Sequence, residues 1–191
     1  SLYRVVALVA MRRGLLRSEP LDEDAIAALA AQLPLSFKPG RVRLGAEEVT
    51  DALRVETVGL AASRVSALPA VRRALHDLQL SFRRAPGLVA DGRDMGSLVF
   101  PDAALKVYLT ASAAQRAERR HKQLISKGIS ANIDDLRADL QARDVRDSSR
   151  RVAPLKPAED ALLLDNSALS VEQSIEWVLE AWEARRPFPV R

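Results

Sequence analysis

The 191 residues contain no cysteine, only two histidines and only 4% aromatic side chains. Without cysteine there is no disulfide, no thiolate nucleophile and no Cys-ligated metal. His76 and His121 are far apart in the chain and lack the close spacing of a zinc motif, so no protein metal site is expected. Scarce aromatics give no stacking platform for single-stranded nucleic acid. No segment approaches the roughly 18 uninterrupted apolar residues of a membrane helix. The opening residues also lack the basic, apolar, small-residue order of a secretory leader. A cytoplasmic protein without membrane contact is expected. Internal repeats and low-complexity tracts are absent as well.

What is present is enough for a buried core. Hydrophobic residues make up 48% of the chain and charged residues 28%, a balance suited to one domain or a domain with a sizeable insert. With few rings, Ala, Leu and Val must fill the interior. The net charge is +4 and the isoelectric point near 9.8. Arginine dominates the basic residues, often near aspartate rather than in one basic run. Its planar fork of donors suits phosphate and carboxylate. A phosphorylated small molecule and a nucleic acid both fit that pattern.

Punctuation along the chain suggests its elements. An Ala/Val/Leu-rich opening helix ends near Gly14, and a second helix spans about 23–32. Leu35-Ser36-Phe37 and Val42-Arg43-Leu44 alternate around Pro39-Gly40, which predicts a small antiparallel meander. Thr50-Asp51 offers a cap for a helix over 52–68, and Pro69 opens another to about 84. Arg72 in that first turn opposes the helix dipole, which favours a ligand role. Buried strands are predicted at 88–90, 105–109 and 161–164, with helices at 112–127, from Asn132 or Asp134 to about 146, and 170–185. Strands alternating with helices imply a parallel sheet. Residues 22–84 break the alternation, as an inserted subdomain would.

The chemistry concentrates in Leu88-Val89-Ala90-Asp91-Gly92-Arg93-Asp94-Met95-Gly96. If 88–90 is a strand, Asp91 to Gly96 lie past its carboxyl end, where open α/β folds bind ligands. The plainer reading is a strand-ending turn with a surface ion pair. Gly92 and Gly96 would let the backbone bend or approach a ligand. Arg143, Asp147 and Arg150 stand at i, i+4 and i+7, one face of a helix, where an ordinary solvated ladder is the simpler reading. Arg4, Arg72, Arg93 and the Arg143/Arg150 pair nevertheless come from four separate elements. Converging arginines would repel unless an anion lay among them, as phosphoryl transfer requires.

With these words the chain resembles the bacterial cytidylate kinases, within the nucleoside monophosphate kinase group of P-loop proteins. Tyr3-Arg4, Ala62-Ser63, Pro69-Ala70-Val71-Arg72 and the GRDMG word carry the resemblance. So do Val99-Phe100-Pro101-Asp102-Ala103, Arg143-Asp144-Val145-Arg146-Asp147 and Val152-Ala153-Pro154-Leu155. The resemblance runs to about Trp182. It implies an α/β fold: a P-loop-type parallel sheet core flanked by helices, an inserted monophosphate-binding subdomain of a small antiparallel sheet plus helices, and a helical lid. Core would occupy 1–21, 88–127 and 151–191, the last with the C-terminal helix. The insert would span 22–87 and the lid region 128–150.

The resemblance also implies roles. Tyr3 and Arg4 would border the acceptor nucleotide, with Arg4 and Arg93 on its phosphate. Ser63, Arg72 and Asp94 would meet cytosine. Arg143 and Asp147 would reach the ribose and phosphate side, Arg143 and Arg150 would stabilise the transferring group, and Arg150 would also count among the residues that bind the acceptor. Arg119 and Arg120 would face ATP, the phosphoryl donor. Mg²⁺ would be held mainly by nucleotide phosphates, with Asp91 as a nearby acid. The activity implied is transfer from ATP to CMP or dCMP, with small nucleotides rather than nucleic acid as partners and a monomeric state. No Gly-x-x-x-x-Gly-Lys-Ser/Thr word occurs in the 191 residues. That loop's amides and lysine hold phosphates, so this polypeptide alone is expected to turn over little ATP and to be less stable. Two other readings remain: a non-catalytic nucleotide- or nucleic-acid-binding module, and a sibling kinase with another acceptor.

Overall fold

The computed structural model describes residues 2–126 and 128–187. Seven α-helices and five strands lie among them. In chain order these are α1 (Leu2–Arg12), α2 (Glu23–Ala31), β1 (Leu35–Lys38), β2 (Arg41–Leu44), β3 (Glu47–Glu48), α3 (Glu56–Val65), α4 (Pro69–Ser81), β4 (Val107–Thr110), α5 (Ala113–Ile125), α6 (Ile133–Ser149), β5 (Leu162–Asp165) and α7 (Val171–Arg185). The chain forms two compact units, one of residues 1–89 with 150–153, the other of 90–149 with 154–191.

The first unit is built on α1. Val5, Val6, Ala7, Leu8, Val9 and Ala10 are all buried, so this helix is apolar on every side and must be surrounded. It packs against α3, while α2 packs against α4. Ile26, Val49, Val65, Val71 and Leu75 complete the same core. β1, β2 and β3 form the expected antiparallel meander, with Leu35 opposite Leu44. Arg12 in the last turn of α1 grips the Glu47 carboxylate with two bonds of 2.8 Å, which holds that carboxyl below its ordinary range.

The predicted helix over 52–68 is broken. A 3-10 turn covers Ala52–Arg54, Val55 is extended, and α3 starts at Glu56. The expected cap oxygens are engaged elsewhere. Thr50 Oγ1 accepts from the Val42 amide at 3.0 Å, and Asp51 accepts from Arg54 at 3.1 Å.

In the second unit β4 and β5 pair in parallel, Val107 with Leu162 through Thr110 with Asp165. The α/β class and the parallel arrangement follow the sequence reading. Residues 88–90 do not: they belong to no strand, and Val89 is fully exposed. An apolar run marks where a strand is possible, but only a ladder partner makes it one. Ser112, Asn132 and Ser170 cap α5, α6 and α7, accepting from Gln115, from Asp134 and Asp135, and from Gln173. α5 ends at Ile125 rather than at 127, a position outside the described residues.

Leu75 has no exposed surface and lies in the core that α2 and α4 share. Leu75→Ala is expected to cost about 2–5 kcal/mol. Urea unfolding should show a lowered midpoint with an unchanged slope.

Candidate active site

Each unit gathers part of the set that the sequence singled out. In the first, α1 supplies Tyr3 and Arg4, α3 Ser63, and the first turn of α4 Arg72. Arg150 belongs to the same unit. Arg4 donates to the carbonyl of Leu53 at 2.6 Å and to that of Val55 at 3.4 Å. The chain breaks helical geometry between them, and the Val55 carbonyl also accepts from the Gly59 amide at 3.2 Å. Gly59 makes room opposite: a Cβ there would stand 2.8 Å from Arg4 Nη2. Arg72 donates to the Ser66 carbonyl at 3.1 Å and its guanidinium lies 5.5 Å from the centre of the Tyr3 ring, a cation–π pairing. The dipole conflict foreseen for α4 is met by Glu23, whose carboxylate accepts from the Ala70 amide in the first turn.

Arg150 is not on α6. That helix stops at Ser149, so the i+7 position does not continue the face of Arg143 and Asp147. The hydroxyls of Ser148 and Ser149 bond back to carbonyls of Asp144 and Val145 at 2.8 and 2.6 Å, competition typical of serine near a helix end. Beyond it, Arg150 donates to the Ala153 carbonyl and to Ser66 Oγ, the latter at 3.1 Å. Ala153 sits at φ +49°, a left-handed conformation that costs a residue with a Cβ about 1–2 kcal/mol.

The second unit holds the GRDMG word. Arg93 Nε donates to Asp147 Oδ2 at 2.7 Å. Arg143, one turn away on α6, approaches the same oxygen at 3.7 Å. Asp147 is 1% exposed, so this is a buried carboxylate between two guanidiniums rather than a solvated ladder. Asp94 is also buried, at 4%, and precedes a π-helical turn over Met95–Val99, whose later amides bond its carbonyl. Asp91 is exposed, outside any helix or strand.

Neither glycine of the GRDMG word has positive φ. They leave space for side chains of their own chain. A Cβ at Gly92 would meet Met95 Cγ at 2.7 Å, and one at Gly96 would meet Lys106 Cγ at 3.1 Å. Lys106 crosses Gly96 to donate to the Pro101 carbonyl at 2.5 Å and to both oxygens of Asp160 at 2.8 and 2.9 Å. This clip joins the π-turn to the segment before β5. Sequence reasoning missed it because a lone lysine just before a strand carries no motif.

Arg119 donates to the side chain and carbonyl of Asn166 at 3.0 and 2.6 Å, just past the carboxyl end of β5. Its neighbour Arg120 lies on the same helix, α5. Arg116 grips Asp144 of α6 with both terminal nitrogens. Among the described residues no three His, Cys, Asp or Glu side chains cluster closely enough to hold a metal ion. A shallow depression of the first unit, lined by Met11, Leu16, Arg17, Leu60, Ala61 and Arg64 among others, includes none of the singled-out residues.

The family model for cytidylate kinase matches residues 1–184. The chain belongs to the cytidylate kinase family. Its relatives include a cytidylate kinase from Cupriavidus necator, 56% identical over 98% of this chain and 83% of that protein. A cytidylate kinase from Bordetella bronchiseptica is 53% identical over 96% of this chain and 81% of its own length. One from Chromobacterium violaceum is 52% identical over 97% and 82%. As a member of the cytidylate kinase family the chain is a phosphotransferase. No described helix is long and apolar enough to cross a membrane.

Two expectations follow from this geometry. Gly59→Ala should lower stability by no more than about 2 kcal/mol, since the roughly 1 kcal/mol by which Ala exceeds Gly in a helix partly offsets the displaced Arg4 hydrogen bonds, about 1.5–3 kcal/mol for a charged donor. It should nevertheless expel the Arg4 guanidinium and weaken CMP binding roughly tenfold, the worth of one hydrogen bond from a charged group. Thermal scans beside CMP titrations check both halves. The second concerns Asp160, whose carboxyl lies below its ordinary 3.8, first because Lys106 hydrogen-bonds it. A depressed carboxyl stabilises the fold above its unfolded value and loses that contribution as pH falls through the folded value. The Tm difference between wild type and Asp160→Asn should thus be constant above about pH 5 and close as the solution becomes more acidic than 3.8.

Proposed function

We propose that the chain binds CMP or dCMP as phosphoryl acceptor and ATP as donor, and that the reaction yields CDP or dCDP and ADP. The observation that carries this reading is the set Arg4, Arg72 and Arg150. Each guanidinium is oriented by a backbone carbonyl of its own unit. Donor forks oriented before a ligand arrives lose less entropy on gripping phosphate than free side chains would.

Arg4 and Arg93 are assigned to the acceptor phosphate, Tyr3 to the border of that nucleotide, and Ser63, Arg72 and Asp94 to cytosine. The base has an N4 amino donor, for which a carboxylate is the natural acceptor. Its N3 and O2 accept, matching a guanidinium and a hydroxyl. Uracil would turn O4 toward Asp94, acceptor against acceptor. Arg143 and Asp147 are assigned to the ribose and phosphate side, Arg143 and Arg150 to the transferring group, Arg150 also to the phosphate side of the bound acceptor, and Arg119 and Arg120 to ATP. Asp91 is proposed as the acid near the nucleotide-bound metal. The domain reading stays as the sequence suggested: core at 1–21, 88–127 and 151–191, insert at 22–87, lid at 128–150.

In the reaction an anionic oxygen of the CMP phosphate attacks the γ-phosphorus of ATP. The bond to the β–γ bridging oxygen breaks and ADP leaves with that electron pair. The attacking oxygen carries no proton to remove at neutral pH, so no strong base is needed, in keeping with a chain of two histidines. Charge on the transferring oxygens is what arginines stabilise. Acceptor binding is the direct test of this reading.

Titration of CMP and UMP against wild type and Asp94→Ala provides the test. Wild type is expected to prefer CMP, and the variant to lose roughly tenfold of that preference, the worth of an unpaired buried acceptor. An unchanged CMP-to-UMP ratio would remove Asp94 from base recognition. Absence of CMP binding, with steeply salt-dependent binding of long DNA instead, would favour the nucleic-acid module.

A further inference from the structure

We propose that Ser66 is a positioning residue that sets the orientation of Arg150, and through it the grip on the acceptor's phosphate. This rests on the nucleotide-binding reading above. Ser66 closes α3, its amide bonding back to the Ala62 carbonyl at 2.9 Å, and it is 7% exposed. Its hydroxyl donates to the Ser63 carbonyl at 3.0 Å and accepts from Arg150 Nη1 at 3.1 Å. The Ser66 carbonyl accepts from Arg72 Nη1 at 3.1 Å.

One small residue thus serves two arginines with two different acceptors. A hydroxyl has one proton and two lone pairs. With the proton committed to Ser63, the lone pairs have a fixed direction, and Arg150 meets one of them. The carbonyl belongs to the last turn of α3, where partial negative charge gathers, so both guanidiniums are drawn to the same helix end. Ala153 fixes Arg150 from the other side, through its carbonyl. Held at Nε and at Nη1, the planar group has little freedom to rotate.

The two acceptors can be separated by substitution. Ser66→Ala deletes the hydroxyl that Arg150 uses and keeps the carbonyl that Arg72 uses. Ser66→Thr keeps both. A residue that merely ended the helix would change stability without regard to the ligand's phosphate.

The test is titration of CMP and of cytidine, which lacks the phosphate, against wild type, Ser66→Ala, Ser66→Thr, Arg150→Lys and the Ser66→Ala/Arg150→Lys double variant, with thermal scans to establish folding. Ser66→Ala is expected to weaken CMP roughly fivefold, about the net worth of one hydrogen bond, and to leave cytidine unchanged. Ser66→Thr should stay within about twofold of wild type, a change under 0.5 kcal/mol. In the Arg150→Lys background, Ser66→Ala should cost nothing further, as expected when one residue acts through the other. Equal weakening of CMP and cytidine, no change in either, or a full loss that persists beside Arg150→Lys would each overturn the proposal. If wild type binds no CMP, the nucleotide reading itself fails and the proposal falls with it; if wild type binds CMP and Ser66→Ala does not discriminate, only the proposal falls.

Discussion

Arg4 reaches out of a largely apolar helix to the carbonyl of Leu53, and much of the first unit is arranged around that reach. The helix that carries it is buried on all sides, so a guanidinium near its start must find acceptors or carry a desolvation penalty. Both carbonyls lie where the chain passes from the 3-10 turn into α3, and that of Val55 also accepts from the Gly59 amide at 3.2 Å. The space exists because residue 59 is glycine. Helix burial, helix break and missing side chain are three aspects of one constraint.

The same device recurs. Arg72 rests on the carbonyl of Ser66, Arg150 on that of Ala153, Arg116 on that of Ala111 and Arg119 on that of Asn166. Carbonyls at helix ends, turns and strand ends are acceptors that the backbone leaves over. They help fix a guanidinium in place, and for Arg116 they act beside the Asp144 carboxylate. Arg93 is handled differently: its partner is the buried carboxylate of Asp147, which it shares with Arg143. Removing either partner of such a group would strand a buried charge, which is costly. Lys106 secures the adjoining turn by passing over Gly96 to Asp160.

Much of the local structure was legible in advance. The apolar opening helix, the meander around Pro39-Gly40, the proline start of α4 and the caps at Ser112, Asn132 and Ser170 each depend on residues close in sequence. Features that depend on distant partners were not. The cap expected at Thr50-Asp51 failed because Val42 and Arg54 claim its oxygens. Residues 88–90 look like a strand, but strand formation is decided by a neighbour. The two glycines of the GRDMG word suggested a bending backbone, whereas they accommodate Met95 and Lys106. Ser66 carries no motif at all; it becomes visible only when three other residues are placed around it.

Sequence alone determined the family, since ordered words spread over nearly the whole chain do not arise from composition. It also determined which residue types bear the chemistry: arginines for phosphate, and one carboxylate for an amino edge. Tertiary structure decided which acceptor holds each arginine, and that Arg150 leaves the helix of Arg143 and Asp147. The division has a physical cause. Periodicity, caps and turn residues act over a few positions and can be read along the chain, while hydrogen-bond partners and close approaches join residues up to 84 positions apart and exist only once the backbone is folded.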